Sequence, residues 1–149
     1  MDSDRANRWL TLGANVAVLV GLIFLIVEIR QNGAAMRAQT RAEISYAIID
    51  NIKMGMDPMV TAAYEKKRAG EPLSPSDEEL LDSLVNATFR LWENTHYQYR
   101  NGLFDDDEFQ ADLEVWRDSM QLTEFRRHWQ ARRLTYSKSF RDEIDKLVE

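Results

Sequence analysis

Residues 10–27 form an apolar segment without a single charged side chain, LTLGANVAVLVGLIFLIV. As a helix it would extend ~27 Å, close to the ~30 Å hydrocarbon core of a bilayer. The rest of the chain is polar enough to bring the mean hydropathy to -0.47. The sequence therefore predicts a transmembrane anchor with its flanks over residues 1–31 and a soluble helical domain over residues 32–149.

A cleavable signal peptide is the alternative for this segment. The small residues Gly33, Ala34 and Ala35 would suit a signal peptidase. However, the apolar run exceeds the usual signal core of roughly 7–15 residues, and Asp2 and Asp4 lie among the basic residues that precede it. These features favour a retained anchor.

Charges near the two ends of the segment indicate its orientation. Three arginines follow it within about twenty residues and two precede it (Arg30, Arg37 and Arg41; Arg5 and Arg8). Because positive charge is enriched on the cytoplasmic side, this excess places the C-terminal domain in the cytoplasm.

The composition excludes several classes of function. With 19 basic and 25 acidic residues the formal net charge is -6, which argues against a nucleic-acid partner held by bulk attraction to phosphates. The chain has no cysteine, which excludes disulfides, cysteine zinc sites and a thiol nucleophile. No nucleophile elbow or glycine-rich phosphate loop is present. We therefore predict no enzyme activity, no catalytic residue and no cofactor.

Beyond the anchor, the sequence predicts an all-α bundle of about four to six helices. Helix-favouring residues continue to Met56, with a kink or a break as alternatives at Asn32-Gly33. Apolar positions recur at Ala38, Ala42, Ile44/Tyr46, Ile48/Ile49 and Ile52. Further helices are predicted from Pro58 to Arg68, from Pro75 to Arg100, from the acidic run 105–108 onward, around Phe125, Trp129 and Leu134, and after Ser137 or Ser139. On the helix from Pro75 we expect Leu81, Leu84/Val85, Thr88, Leu91/Trp92, Thr95 and Tyr99 to form the core face.

Small residues in the apolar segment predict contact with another helix. Gly13, Ala17 and Gly21, here called the small-residue stripe, share one helical face, and such faces let helices approach closely in lipid. Glu28 falls on the same face at the membrane edge, whereas Asn15 points the other way. The sequence therefore predicts self-association through the stripe. Asn15 and Glu28 are candidate polar residues facing a partner or, alternatively, a pore.

Two glutamate–histidine pairs are candidate metal ligands. Glu93-x-x-His96 has the spacing found in di-iron helical bundles, but that chemistry needs the pair twice. The second pair, Glu124 and His128, is four residues apart. We therefore predict no metal site and interpret these residues as polar groups on helix surfaces. The acidic run 105–108 is interpreted as helix capping, not as a calcium loop.

A cluster of arginines follows in the next predicted helix. Arg126, Arg127, Arg132 and Arg133 lie in a stretch without acidic residues. They predict a basic patch that contacts anionic lipid or an acidic partner. The alternative is a solvated face whose arginines pair with acidic residues of other helices.

The segment around Glu93, Tyr97 and Arg100 is the most distinctive part of the soluble domain. These three residues share one helical face, which predicts a buried polar network. The sequence 93–103, Glu-Asn-x-x-Tyr-Gln-x-Arg-x-Gly-Leu, and the anchor end 27–32, Val-Glu-Ile-Arg-Gln-Asn, resemble a family of small uncharacterised bacterial single-pass membrane proteins with a C-terminal helical domain. The resemblance implies a bacterial inner membrane and transfers no catalytic residue.

These observations predict a non-enzymatic, membrane-anchored accessory or scaffold subunit. Its expected partners are the lipid bilayer, further copies of itself and another membrane protein. The alternative is a homo-oligomeric pore lined by the N-terminal helices.

Overall fold

The computed structural model describes residues 2–148, which form helices joined by short turns with no β-strand in that range. The elements are α1 (Asp2–Gly55), α2 (Pro58–Ala69), α3 (Pro75–Arg100), α4 (Asp106–Ser119), α5 (Thr123–Arg132), a short 3-10 turn (Arg133–Thr135) and α6 (Lys138–Val148). This confirms the predicted all-α class.

Helix α1 passes through Asn32-Gly33 without a break, so the break expected there is wrong. A glycine inside a helix costs only about 1 kcal/mol relative to alanine, and the alanines, arginines and glutamine around it favour helix. The part of α1 that holds the apolar segment is long and apolar enough to cross a membrane, and none of that segment is buried within the structure.

The chain divides into two compact units, with the boundary between Ala38 and Gln39, seven residues beyond the predicted one at 31. The side chains of residues 34–39 are exposed, and Thr40 is the first buried residue of the described chain. In the second unit, Thr40 and Ile44 of α1 are buried. The predicted apolar positions Ala38, Ala42 and Ile52 are exposed, because apolar residues occupy more than one face of this part of α1.

The helix boundaries beyond α1 follow local capping signals. The Asp57 carboxylate accepts a 2.8 Å hydrogen bond from the Met59 N–H, and Pro58 begins α2. Gly70 ends α2 in the left-handed conformation at φ 72°, which glycine adopts without strain. Ser74 and Asp77 form a capping box at the start of α3, and Asp105 caps α4.

Helix α3 lies at the centre of the second unit, where it packs against α2, α4, α5 and α6. The main core combines α3 with α4, α5 and α6 and is unusually aromatic. Its centre is Phe89, which is completely buried although the predicted core face of α3 did not include it. Leu134, predicted in one helix with Phe125 and Trp129, lies instead in the 3-10 turn and is 80% exposed, whereas Tyr136 is buried nearby.

Candidate functional site

The small-residue stripe is uncovered within the single chain. A Cβ atom added at Gly13 or Gly21 would meet nothing within 4 Å beyond the helix itself. Ala17, Asn15 and Glu28 are exposed as well. The stripe is therefore free to contact another helix, and its self-association stays a prediction.

The structure does not bring Glu93, Tyr97 and Arg100 together as one buried network. Tyr97 is 59% exposed. Arg100 reaches the hydroxyl of Ser139, and Glu93 accepts a 2.7 Å hydrogen bond from the Ser137 N–H. The two charged residues therefore connect α3 to the start of α6, and the third faces solvent.

Glu93 is held by two donors. Besides the Ser137 N–H, Arg90 Nη1 donates to Glu93 Oε2 at 2.7 Å. Burial by itself would raise the pKa of Glu93, but these hydrogen bonds outweigh it and lower the pKa below its usual value. The Arg90 guanidinium also lies 4.3 Å from the ring centroid of Tyr136, a cation–π contact. Glu93 is therefore ionised at neutral pH, and its bond to the Ser137 N–H connects α3 to the segment before α6.

Both histidines lie in the interior, so their interpretation as helix-surface residues is wrong. The His96 ring lies 6.0 Å from the Phe109 ring and 5.9 Å from the Phe140 ring, and burial lowers its pKa. His128 stacks on Phe89 at 5.3 Å between ring centroids. Within residues 2–148 no three His, Cys, Asp or Glu side chains are grouped closely enough to hold a metal ion.

A chain of hydrogen bonds runs through the buried His128. Its Nδ1 lies 2.9 Å from Asp82 Oδ1, and its Nε2 lies 3.0 Å from the Tyr136 hydroxyl. That hydroxyl donates in turn to Asn86 Oδ1 at 3.2 Å. Asp82 and Asn86 are one helical turn apart on α3, so the chain joins α3 to α5 and to the segment before α6. Sequence reasoning missed this chain, although the i, i+4 spacing of Asp82 and Asn86 placed both on one helical face.

Two of the four predicted patch arginines pair with acids of other helices. Arg133 Nε donates to the Asp145 carboxylate of α6 at 3.0 and 3.1 Å, and Trp129 Nε1 donates to the same carboxylate. Arg132 lies 3.6 Å from Asp82 of α3. For these two residues the contacts match the alternative interpretation, a solvated face with paired charges.

The other two patch arginines have different surroundings. Arg126 Nη2 donates to the backbone oxygen of Gln121 at 2.8 Å, so its contact caps the turn before α5. Arg127 is exposed and lines a small cleft with Asp82 and Glu124. The four arginines therefore do not form one uniform basic surface.

Comparisons with protein-family models, with curated proteins and with solved structures found no match for this chain. Its function must therefore be inferred from its own residues.

Proposed function

We propose that this chain is a non-enzymatic, single-pass protein of a bacterial inner membrane. The apolar segment of α1 holds the helical bundle at the cytoplasmic face, where the bundle acts as an accessory or scaffold subunit for another membrane protein. The observation that carries the proposal is the contrast between the two units: the apolar segment of the first is uncovered, whereas the second has a core of its own.

The apolar side chains of residues 10–27 are not buried by the rest of the chain, so they require an apolar environment from outside it. Phe24 is 70% exposed, and Leu10 and Ile23 are similarly uncovered. Each buried apolar side chain of this size contributes about 1.5–3 kcal/mol relative to exposure in water, so the whole segment strongly favours an apolar phase. Its length matches that of a bilayer core. A lipid bilayer is the environment that satisfies both properties.

The bundle does not depend on the apolar segment for its packing. Every buried residue of the described chain lies at or after Thr40. The core of the second unit is formed by α2 to α6 together with the end of α1. An anchor that contributes nothing to the core is typical of a tether, whose role is to hold a domain at a surface.

Self-association of the anchor is part of the proposal. Gly13 and Gly21 leave the helix backbone open to close approach, and Ala17 continues the same face. In lipid such close approach replaces the hydrophobic effect as the source of helix–helix attraction. We therefore assign the oligomer contact to the small-residue stripe.

A second exposed apolar row, in the part of α1 that belongs to the bundle unit, supports association of copies. Ala42, Tyr46 and Ile49 lie on one helical face by their spacing, and all are exposed. The next position on this face is Lys53, which is paired with Asp50 on the same helix. Rows of this kind are usually covered by another helix.

Carbonate extraction and the intact mass of the protein together test whether residues 10–27 are retained as a membrane anchor. Wild-type protein should stay in the membrane pellet after alkaline carbonate treatment, and its intact mass should include residues 10–27. Placing arginines mid-segment, as Leu19→Arg with Ile23→Arg, should release it, since each charge at the bilayer centre costs roughly 2.5–3.5 kcal/mol. Leu134→Arg, at an exposed site on the bundle, is the matched control and should remain in the pellet. Carbonate release of the wild type, or a mature chain without the segment, would contradict the proposal.

The absence of cysteine allows a clean test of sidedness. Leu134→Cys introduces a single exposed thiol on the bundle. A membrane-impermeant maleimide should label it only after the cells are lysed. Labelling in intact spheroplasts would place the bundle on the outer side and overturn this part of the proposal.

A further inference from the structure

A cleft of about 380 Å³ opens within the bundle unit, between the end of α1, α3, α4 and the start of α5. Small-molecule sites commonly have volumes of about 300–1,000 Å³ and mostly apolar walls with a few polar groups. The cleft fits this description, since Ile48, Ile52 and Val115 line it together with aromatic and a few polar side chains.

Aromatic side chains form one wall of the cleft. The rings of Trp92 and Trp116 stack with centroids 5.3 Å apart, and Phe125 lies 5.5 Å from Trp92 in a similar orientation. All three line the cleft. Such a wall favours a flat apolar group, and its π-electrons favour a nearby positive charge.

Asp112 adds a half-buried carboxyl group to the lining. Within residues 2–148 it has no ion pair or side-chain hydrogen bond. Glu108 is the acid whose charge acts on Asp112, and Glu108 is itself paired with Arg41. Burial and the charge of Glu108 raise the pKa of Asp112. Asp112 is therefore a half-buried acid without a cationic partner in the described part of the chain.

Ile48, Asn51 and Ile52 of α1 also line the cleft. Thr88 Oγ1 of α3 donates to Asn51 Oδ1 at 3.2 Å, which ties α1 to α3 at the cleft. A molecule in the cleft would therefore be able to contact both helices.

We infer that the cleft binds a small organic cation, a protonated primary amine that carries a flat apolar group. The ammonium group pairs with Asp112, and the apolar group packs against Trp92, Trp116 and Phe125. Charge complementarity selects this class: an anion would meet an unpaired carboxylate, and a neutral molecule would leave that carboxylate without a partner. Occupancy holds residues 48–52 of α1 against α3.

The test is a titration of full-length protein in phosphatidylcholine nanodiscs with phenethylammonium, followed by calorimetry. Phenethyl alcohol and hydrocinnamate, which resemble phenethylammonium in shape, serve as the neutral and anionic control compounds. We expect the cation to bind most tightly and Asp112→Asn to weaken it by about tenfold or more. Asp118→Asn, an exposed acid on the same helix, should bind the cation as the wild type does. No binding of phenethylammonium, equal binding of the three compounds, or unchanged affinity in Asp112→Asn would overturn the inference.

A second variant and a second readout locate the site independently of Asp112. Val115→Trp places a large ring at the exposed edge of the cleft and should abolish binding, while the thermal unfolding midpoint shows that the bundle remains folded. Bound phenethylammonium should also slow hydrogen exchange at residues 48–52. Wild-type affinity in folded Val115→Trp, or unchanged exchange at saturation, would place the ligand elsewhere.

Discussion

Replacing Phe89 by alanine tests the packing of the bundle at its centre. Phe89 is 0% exposed. Its ring centroid lies 5.0–5.7 Å from those of five other rings, Trp92, Phe125, His128, Trp129 and Tyr136. The substitution removes every one of these contacts and leaves a cavity between α3, α5 and the segment before α6.

The expected loss is large compared with the stability of a small domain. A buried phenylalanine replaced by alanine usually costs 3–5 kcal/mol, and well-placed aromatic pairs add about 0.5–1.5 kcal/mol each. We therefore expect the free energy of unfolding to fall by about 4–5 kcal/mol, out of a total of about 5–15 kcal/mol. A domain near the lower end of that range would be largely unfolded.

Urea unfolding of the full-length protein in mild detergent measures this loss, with near-UV circular dichroism as the signal. Phe24→Ala makes the same chemical change at an exposed position of the apolar segment and should leave the unfolding midpoint of the bundle unchanged. The reasoning fails if Phe89→Ala lowers the unfolding free energy by less than ~1 kcal/mol, well below the usual range for a buried ring.

Three further predictions follow from the same contacts. Because burial lowers the pKa of His96 from its ordinary 6.5, the unfolded chain binds its proton more readily, so stability should decline as the pH falls below about 6.5. The thermal midpoint measured between about pH 5 and pH 8 should show this decline, and His96→Gln should reduce it. Ser74→Ala should lower the unfolding free energy by about 1 kcal/mol through loss of the α3 cap; an unchanged urea midpoint would refute this. Glu93→Gln should lower the thermal midpoint by weakening the bond to the Ser137 N–H, whereas Tyr97→Phe, at an exposed site, should not.

Boundaries that depend on neighbouring residues were predictable from the sequence. Asp57-Pro58 and Ser74-Pro75 mark the starts of α2 and α3, because a capping oxygen and a proline act within one helical turn. Gly70 likewise ends α2, because its left-handed conformation is a property of the residue itself. These signals are local, so a single sequence contains them.

Contacts between distant segments were not predictable in the same way. On α3 the apolar positions form a broad face, and only packing by α5 and the segment before α6 places Phe89 at its centre. Along the end of α1, apolar residues occur on two faces, so periodicity alone could not show that Ile44 is buried and Ile49 exposed. The helical position predicted for Leu134 was wrong for a related reason, since α5 ends at Arg132 and Leu134 lies in the 3-10 turn that follows.

The candidate sites differ in the same way: one depends on local spacing, and the others depend on contacts between distant segments. The small-residue stripe lies within one helix and is readable from spacing alone. Glu93 and His128 each have one partner more than forty residues away, Ser137 and Asp82, so their roles depend on the fold. The cleft around Asp112 combines four helices and is invisible in any single stretch of sequence.

The native mass of the full-length protein, in nanodiscs prepared from its own host membrane, tests the central claim most directly. The account predicts a small homo-oligomer, alone or with a second membrane protein, that dissociates in Gly13→Leu with Gly21→Leu. Val18→Leu, outside the small-residue stripe, should leave the assembly intact. A monomer without any partner, or an assembly unchanged by the glycine substitutions, would contradict the account, and a larger homomeric ring would favour a pore instead.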